Sequence, residues 1–304
     1  MPARDPDWSD RLDSLPGWRR GLVLDIRSSV AFGAGHLRGA VSHPLEPGAV
    51  TPAGFAALLP SIFLPPRPEP LLVVASSTRL AEALASHLRA RGRAAVGALG
   101  LGPAVLAALP PALLERGPSR ARLWQPPRWL ERHTGLLPPP ALGPALDLAC
   151  GSGRACVWLA EQGWRTTGLD HEPEALLLGG RLAASRKVAC RFLAADLRRP
   201  EVVPAGPWAL VTAFRFLERP LLARLAGLVV PGGVACVRTF RDAPGYAGHP
   251  HPRHRLDRGE LLRAFPAGRW EVLAHAEDFD ADGRPAAGIV ARRRSGGGAS
   301  TSGA

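Results

Sequence analysis

The chain has 304 residues, 46% of them hydrophobic and 21% charged, with a formal net charge of +12. That is room for two globular domains of ordinary composition. No apolar run reaches the length a membrane span needs, and the first residues are polar, without the apolar core of an export signal, so a cytoplasmic protein is expected. The charge alone points toward a polyanion. However, Lys187 is the single lysine, and the arginines are scattered instead of forming a stripe between aromatics. Non-specific affinity for polyanions is therefore expected, not a specific nucleic-acid partner. The four cysteines, Cys150, Cys156, Cys190 and Cys236, form no Cys-x-x-Cys pair. They read as buried free thiols.

The first third is a small α/β pattern. A buried strand, Leu22 to Ile26, carries Asp25-Ile26-Arg27, and Gly35-His36-Leu37-Arg38-Gly39-Ala40-Val41 follows. Leu71 to Ala75 reads as a second buried strand. Thr78 to Arg91 reads as a helix with apolar residues at Leu80, Ala83, Leu84 and Leu88, stopped by Gly92. Over roughly residues 8–110 this resembles a rhodanese (sulfurtransferase) domain, whose pattern is a strand ending in Asp-x-Arg and then Gly-His-Ile-x-Gly-Ala. The resemblance implies a sulfur-carrying cysteine at the end of the central strand. Here that place reads Ala75-Ser76-Ser77-Thr78, and no cysteine precedes Cys150. A serine hydroxyl cannot replace a persulfide carrier, so no sulfurtransferase activity is expected, and His36 and Arg38 read as scaffold. Pro60, Pro65, Pro66, Pro68 and Pro70 mark a surface loop inside this domain.

The proline-rich residues 110–128 read as the connection between domains. The expected organisation is a first domain over 1–112, a linker over 113–122, a second domain over 123–294 and a disordered Gly/Ser-rich tail over 295–304. Just inside the second domain, Trp129, Leu130, His133, Leu136 and Leu137 fit one face of a short helix.

The second domain turns on ALDLACGSGRACVWLAEQGWRTTGLD, residues 145–170. A short apolar strand is followed by Gly151-Ser152-Gly153, then a helix-spaced run stopped by Gln162-Gly163, then a strand from Thr166 to Leu169 closing on Asp170. Strand, glycine loop, helix, strand and acid form the first half of a nucleotide-binding α/β unit. The glycines let the backbone approach a ligand, and the closing acid suits a ribose diol. A dinucleotide fingerprint wants a third glycine where Cys156 stands, which leaves a nicotinamide dehydrogenase as a weaker alternative.

Asp147 lies four residues before Gly151, and the spacing Asp-x-x-x-Gly-x-Gly resembles the first motif of class I S-adenosylmethionine-dependent methyltransferases. The resemblance implies a doubly wound Rossmann-like sheet with closing antiparallel strands, hence an α/β chain of two domains. It also implies S-adenosyl-L-methionine as cofactor. Asp147, Ala149, Cys150, Gly151, Ser152 and Gly153 would lie along the methionine part, and Asp170 and His171 at the ribose. The segment Trp124 to Leu137 resembles the stretch before the first strand of small methyltransferases of the tellurite-resistance and thiopurine type, where it narrows the entrance. Trp124 and Arg128 are accordingly candidate substrate contacts.

Downstream, Pro173 with acids beside it opens a helix running to about Ala184. The strand Cys190 to Ala194 leads to Ala195, Asp196 and Leu197, which the resemblance places at the adenine. Trp208 to Ala213 is the next strand. Thr212 and Phe214 at its end are cofactor candidates, and Arg215 and Phe216 are substrate candidates. The resemblance also names an Asn/Asp-Pro-Pro-Tyr motif at this point for adenine or glutamine acceptors. It is absent here, which argues against them. Pro220 to Val230 reads as a helix, Pro231-Gly232-Gly233 as a turn common in this superfamily, and Val234 to Thr239 as a strand. Asp257 is the expected N-cap of a helix from Arg258 to Phe265. A hairpin turns at Asp282-Gly283.

His249, His251 and His254 lie between prolines without a nearby cysteine or carboxylate, so a solvated loop is expected and no metal; by position this loop is a lid over the substrate. No catalytic base stands out; His133, His249 and His251 are weak candidates. Glu277-Asp278-Phe279-Asp280 occupies the place where related enzymes carry a basic pair, which speaks against tellurite as acceptor. The expected function is methyl transfer to a small molecule, a thiol or chalcogen compound among the possibilities, with an inactive rhodanese-like accessory domain. The alternative is a binding or sensing protein with a vestigial methyltransferase fold.

Overall fold

The computed structural model describes residues 8–45, 54, 55 and 58–295. The chain divides into two compact units, the boundary falling between Gln125 and Pro126. The tail from residue 296 onward, expected to be disordered, lies outside the described residues.

In the first unit, β1 (Val23–Asp25), β3 (Val41–Ser42), β4 (Leu71–Ala75) and β5 (Val96–Gly100) form a parallel sheet in the order β3-β1-β4-β5. The central strand β4 reads LLVVA because both of its faces are covered. Leu71, Val73 and Ala75 join one apolar cluster with Leu84 and Leu88 of the helix α3 (Thr78–Ala90), while Leu72 and Val74 join another with Leu12 of α1 (Trp8–Asp13), Phe32 of α2 (Ser29–Ala34) and Leu37, against which Leu106 of α4 (Pro103–Ala108) packs. Ser77 caps α3 by accepting a hydrogen bond from Leu80 N at 3.3 Å, which suits a serine at that position. Asp25 and Arg27 are a buried ion pair at 2.6 Å, and the Arg27 guanidinium also donates to the carbonyls of Gly35 and Leu101. These two motif residues therefore tie the strand end to its neighbouring loops.

Two expectations about the junction change. Leu114–Glu115, expected in a free linker, is the strand β6, paired antiparallel with β2 (His36–Leu37). Leu123 belongs to the core of the first unit, and Trp124, expected at the entrance of the second domain's site, is buried and belongs to the first unit by its contacts. Large apolar side chains here seek the nearest core, and a proline-rich sequence hides how far that core extends.

The second unit begins with α5 (Arg128–Arg132) and is built on seven strands: β7 (Ala145–Leu148), β8 (Thr166–Asp170), β9 (Cys190–Ala194), β10 (Trp208–Phe214), β11 (Val229–Phe240), β12 (Trp270–Phe279) and β13 (Pro285–Arg293). Their order is β12-β13-β11-β10-β7-β8-β9. The first five in the chain are parallel, and β13 and β12 close the sheet antiparallel. The chain leaves β7 to one side for β8 and β9, then returns to the other side for β10 and β11. The point where the order switches is therefore between β7 and β10, where a ligand crevice is expected beyond the strand ends.

The helices α6 (Arg154–Glu161), α7 (Pro173–Arg186) and α8 (Arg219–Leu228) follow β7, β8 and β10. The Pro-Gly-Gly turn is taken into β11 as a bulge: Trp208 pairs with Val229 and Leu210 already with Val234. The last helix, α9, is only Glu260–Arg263. Gly259 before it sits at φ 70°, so the helix cannot extend back to Arg258, and Asp257 is not its cap. Glu260 supplies the closure instead, accepting from Asp257 N at 2.7 Å and from Arg219 Nε at 2.6 Å. Among the described residues, no helix is long and apolar enough to cross a membrane.

Candidate functional site

The loop after β7 is shaped by backbone conformations that few residues tolerate. Ala149 lies at φ 55°, Gly151 at 51° and Gly153 at 72°. A Cβ on Gly153 would stand 2.6 Å from the Phe192 ring, so only glycine fits between α6 and β9. A Cβ on Gly151 would meet nothing within 4 Å, so that side of the loop opens onto free space. Gly151 N donates to Asp170 Oδ2 at 2.8 Å, and Glu172 N donates to Oδ1 at 3.0 Å. The carboxylate closing β8 is thus fixed by two backbone N–H groups, with His171 Nδ1 3.4 Å from Oδ1, and Oδ2 keeps a lone pair for a ligand.

Below the loop lies Asp147. It is buried; Thr212 Oγ1 donates to its Oδ1 at 2.6 Å, and the Cys156 thiol lies 3.7 Å from Oδ2. Desolvation raises its pKa from 3.8 to about 7, against the lowering effect of the Thr212 and Cys156 hydrogen bonds. Asp147 therefore supports the loop from beneath and lines no part of the crevice. All four cysteines are free. The Cys156 thiol is pushed well up, first by its hydrogen bond with Cys150 and then by burial.

A crevice of about 640 Å³ opens at the strand ends. Of the residues expected at the cofactor and substrate, Ala149, Asp170, His171, Ala195, Asp196, Leu197, Arg215 and Phe216 line it. Cys150, Gly151, Ser152 and Gly153 form the adjoining loop, with Gly151 tied to Asp170. Thr212 is fully buried against Asp147, and Phe214, one residue before the bend, is not in the lining; Phe216 and Phe240 are the aromatics that line the crevice. Arg128 stands exposed at the start of α5 and lines no part of the crevice. Asp196 is gripped by Arg198, whose Nε and Nη2 each donate at 2.9 Å and whose backbone N donates at 3.1 Å. These bonds, the side-chain ones first, lower the Asp196 pKa.

The opposite wall was less visible in the sequence. Arg215, at the end of β10, takes φ 60°, so β7 and β10 both end in a left-handed non-glycine residue beside the switch point. Such strained backbone gathers at functional sites. Arg215 Nε reaches Asp280 at 3.2 Å and its Nη2 reaches Asp282 at 2.9 Å, while Arg238 donates to Asp278 and Asp280 at 2.7 Å. Arg284 holds Asp282, whose pKa falls to about 2, first through that hydrogen bond. The acidic hairpin that carries no basic pair of its own at 277–280 is thus neutralised by arginines from β10, from β11 and from its own far strand. Arg215 and Arg284 also stand over the Phe240 ring, at 5.8 and 4.2 Å.

The histidine- and proline-rich loop lies at the crevice through Pro250, Arg253 and His254. It is wrapped around Arg255, whose guanidinium is buried and donates to Pro250 O at 2.7 Å, Asp242 Oδ1 at 3.0 Å, Tyr246 O at 3.1 Å and Gly248 O. Neither Arg255, one of many scattered arginines, nor Glu218, which also lines the crevice, was singled out by the sequence.

Residues 145–233 match the family model described as a methyltransferase domain. An uncharacterized protein of Schizosaccharomyces pombe, UNK4.09, is 27% identical over 327 residues, covering 89% of this chain and 93% of its own length; such coverage takes in residues of both units. The ribosomal RNA small subunit methyltransferase C of Alcanivorax borkumensis is 28% identical over 109 residues, 34% of this chain and 34% of that protein. Among solved structures, TehB from Haemophilus influenzae aligns with a TM-score of 0.45 and 17% identity, covering 55% of this chain and 62% of that one. The family match runs through the glycine loop and through Asp147, Asp170 and Asp196, which favours neither a vestigial fold nor a nicotinamide site. Residues 145–233 of the second unit carry a methyltransferase domain, and the protein is an enzyme that uses S-adenosyl-L-methionine as its cofactor.

Proposed function

We propose that this enzyme methylates a small molecule and that the first unit is a rhodanese-like accessory domain without sulfur-transfer activity. The observation that carries the methyl-transfer reading is the Asp170 carboxylate, oriented by Gly151 N and Glu172 N at the rim of the crevice. A carboxylate so held suits both hydroxyls of a ribose, and the open side of Gly151 leaves room for the rest of the cofactor. The residues present fit the group: Asp170 would hold the ribose, Ala195 to Leu197 the adenine, and the loop from Ala149 to Gly153 the methionine part. When bound, the cofactor supplies a methyl group already activated on a sulfonium. The chain's own residues then have to align the acceptor and exclude water, and Phe216, Leu217 and Phe240 give the crevice apolar surface for that task.

Arg198 takes three of the lone-pair positions of Asp196. An adenine amino group at Asp196 would use what remains of a carboxylate's roughly four. A thiol or chalcogen compound remains among the expected acceptors, since soft nucleophiles ask least of the protein. The first unit reads as rhodanese-like from its Asp25-x-Arg27 pair and its Gly35-His36 segment. Ser76 and Ser77 stand at the end of β4 where a sulfur carrier would need a thiol. The direct test is a screen of thiols, selenite, tellurite and small acids with isotope-labelled S-adenosylmethionine. Label transfer to a small acceptor supports the reading; transfer confined to RNA or protein refutes it.

A further inference from the structure

The crevice has two walls. Ala149, Asp170, Ala195 and Asp196 make the one assigned above to the cofactor. The other comes from the ends of β10 and β11 and from the loop around Arg255. On this second wall two of the titratable groups are already engaged. Arg215 is bound to Asp280 and Asp282. His254 Nε2 accepts from Arg253 Nε at 2.9 Å, so the ring's acceptor nitrogen is in use.

Two groups stand apart. Glu218 is half-buried, lines the crevice, and its carboxylate makes no hydrogen bond or ion pair among the described residues. It occupies the N-cap position of α8, yet its side chain caps nothing. Arg253 also lines the crevice, and its guanidinium has no carboxylate partner among the described residues.

Glu218 borders a second space as well. A pocket of about 20 Å³ between α8 and the sheet shares Phe216, Leu217 and Glu218 with the crevice. It is otherwise lined by leucines, Ala213, Val237 and Thr239, and Thr239 Oγ1 is buried without a partner. An unengaged carboxylate and an unengaged hydroxyl thus face one small apolar space beside the crevice. Burying a polar group such as the Thr239 hydroxyl without a partner is costly.

We propose that Glu218 is the general base of the methyl transfer and that Arg253 anchors an anionic group of the acceptor, which makes the acceptor a small protic nucleophile, a thiol, hydroxyl or amine, carrying a carboxylate or similar anion. The inference rests on the cofactor reading above. In the step, the acceptor's X–H proton passes to the Glu218 carboxylate and the freed pair on X forms the X–C bond. The cofactor's C–S bond is broken with its electron pair left on sulfur. The products are the methylated acceptor, S-adenosylhomocysteine and protonated Glu218, with no redox partner. Arg198, Arg215 and Arg253 around the crevice and Arg219 on the same helix are the cations near Glu218, with the His254 ring beside Arg253; Asp170 and Asp196 are the acids of the facing wall.

The test uses the full chain and isotope-labelled cofactor, with 3-mercaptopropionate as probe and 2-mercaptoethanol as its uncharged counterpart. Glu218→Gln should slow transfer to 3-mercaptopropionate about a hundredfold near neutral pH. The deficit should shrink as the pH rises toward the probe thiol's own pKa, which lies above the cysteine value of about 8.5 because the probe lacks cysteine's electron-withdrawing groups, since the thiol then ionises unaided. S-adenosylhomocysteine affinity, read by calorimetry, should not change. Arg253→Gln should raise KM for 3-mercaptopropionate about tenfold, ~1.4 kcal/mol, and leave that for 2-mercaptoethanol in place. A deficit that is absent or uniform across pH overturns the role of Glu218; equal effects of Arg253→Gln on the two thiols overturn the anchor. Wild-type protein that binds S-adenosylhomocysteine but methylates none of 3-mercaptopropionate, 3-hydroxypropionate and β-alanine overturns the acceptor class. Failure to bind S-adenosylhomocysteine refutes the cofactor assignment instead.

Discussion

Replacing Asp147 by asparagine keeps the shape of the side chain and removes its charge from a site where charge is costly. In the folded protein desolvation raises this carboxyl from 3.8 to about 7. The folded state therefore holds the proton more tightly than the unfolded chain does. The stability this confers is whole below about pH 4, is lost progressively as the pH rises toward 7, and is level above that. A shift from 3.8 to about 7, at ~1.36 kcal/mol per pH unit, comes to ~4 kcal/mol. The amide that replaces the carboxyl has no proton to lose, and its oxygen can still accept from Thr212. The stability of Asp147→Asn relative to wild type should therefore rise by ~4 kcal/mol between about pH 4 and pH 8. Urea unfolding of both proteins at matched pH values, followed by tryptophan fluorescence, measures the difference, and groups common to both cancel. A difference that does not change with pH would show that Asp147 is not a desolvated carboxyl beneath the loop.

Other perturbations address the loop, the lid and the first unit. Gly153→Ala imposes a left-handed conformation on a residue with a Cβ 2.6 Å from Phe192; a loss of about 2–3 kcal/mol in unfolding free energy is expected, and unchanged stability would contradict the packing. Arg255→Met removes the guanidinium that gathers four oxygen acceptors. Hydrogen exchange across residues 243–254 should accelerate at least about tenfold, ~1.4 kcal/mol, and an unaltered rate would show that the loop does not depend on it. The full chain should release no thiocyanate from thiosulfate and cyanide; measurable turnover would refute the absence of a sulfur carrier in the first unit.

What the sequence disclosed and what it hid follow from distance along the chain. Asp147, the glycine loop and Asp170 lie within one strand-loop-helix-strand unit, so their spacing already states their geometry. The sheet's parallel strands were legible for a similar reason, because strands buried on both faces leave continuous apolar runs such as those in β4 and β10. The second wall is another matter. Arg215 meets Asp280 and Asp282 only because β11 and β13 bring the hairpin beside the end of β10. An acidic turn read alone therefore lacked the arginines that balance it. Arg255 was invisible because its role is to collect backbone carbonyls, which leave no mark in side-chain pattern. Trp124 was misplaced because a proline-rich connection gives no sign of where one core stops. Asp257 looked like a cap, but Gly259 in a left-handed conformation starts the helix two residues later than a cap there allows.

One carboxylate, Asp170, holds the cofactor's ribose in this reading, and calorimetric titration of the full chain with S-adenosylhomocysteine tests it most directly. Saturable binding is predicted, weakened about tenfold or more, ~1.4 kcal/mol, by Asp170→Ala, with no comparable heat from NAD. Absence of binding to the wild-type protein, or an affinity that Asp170→Ala leaves unchanged, would contradict it.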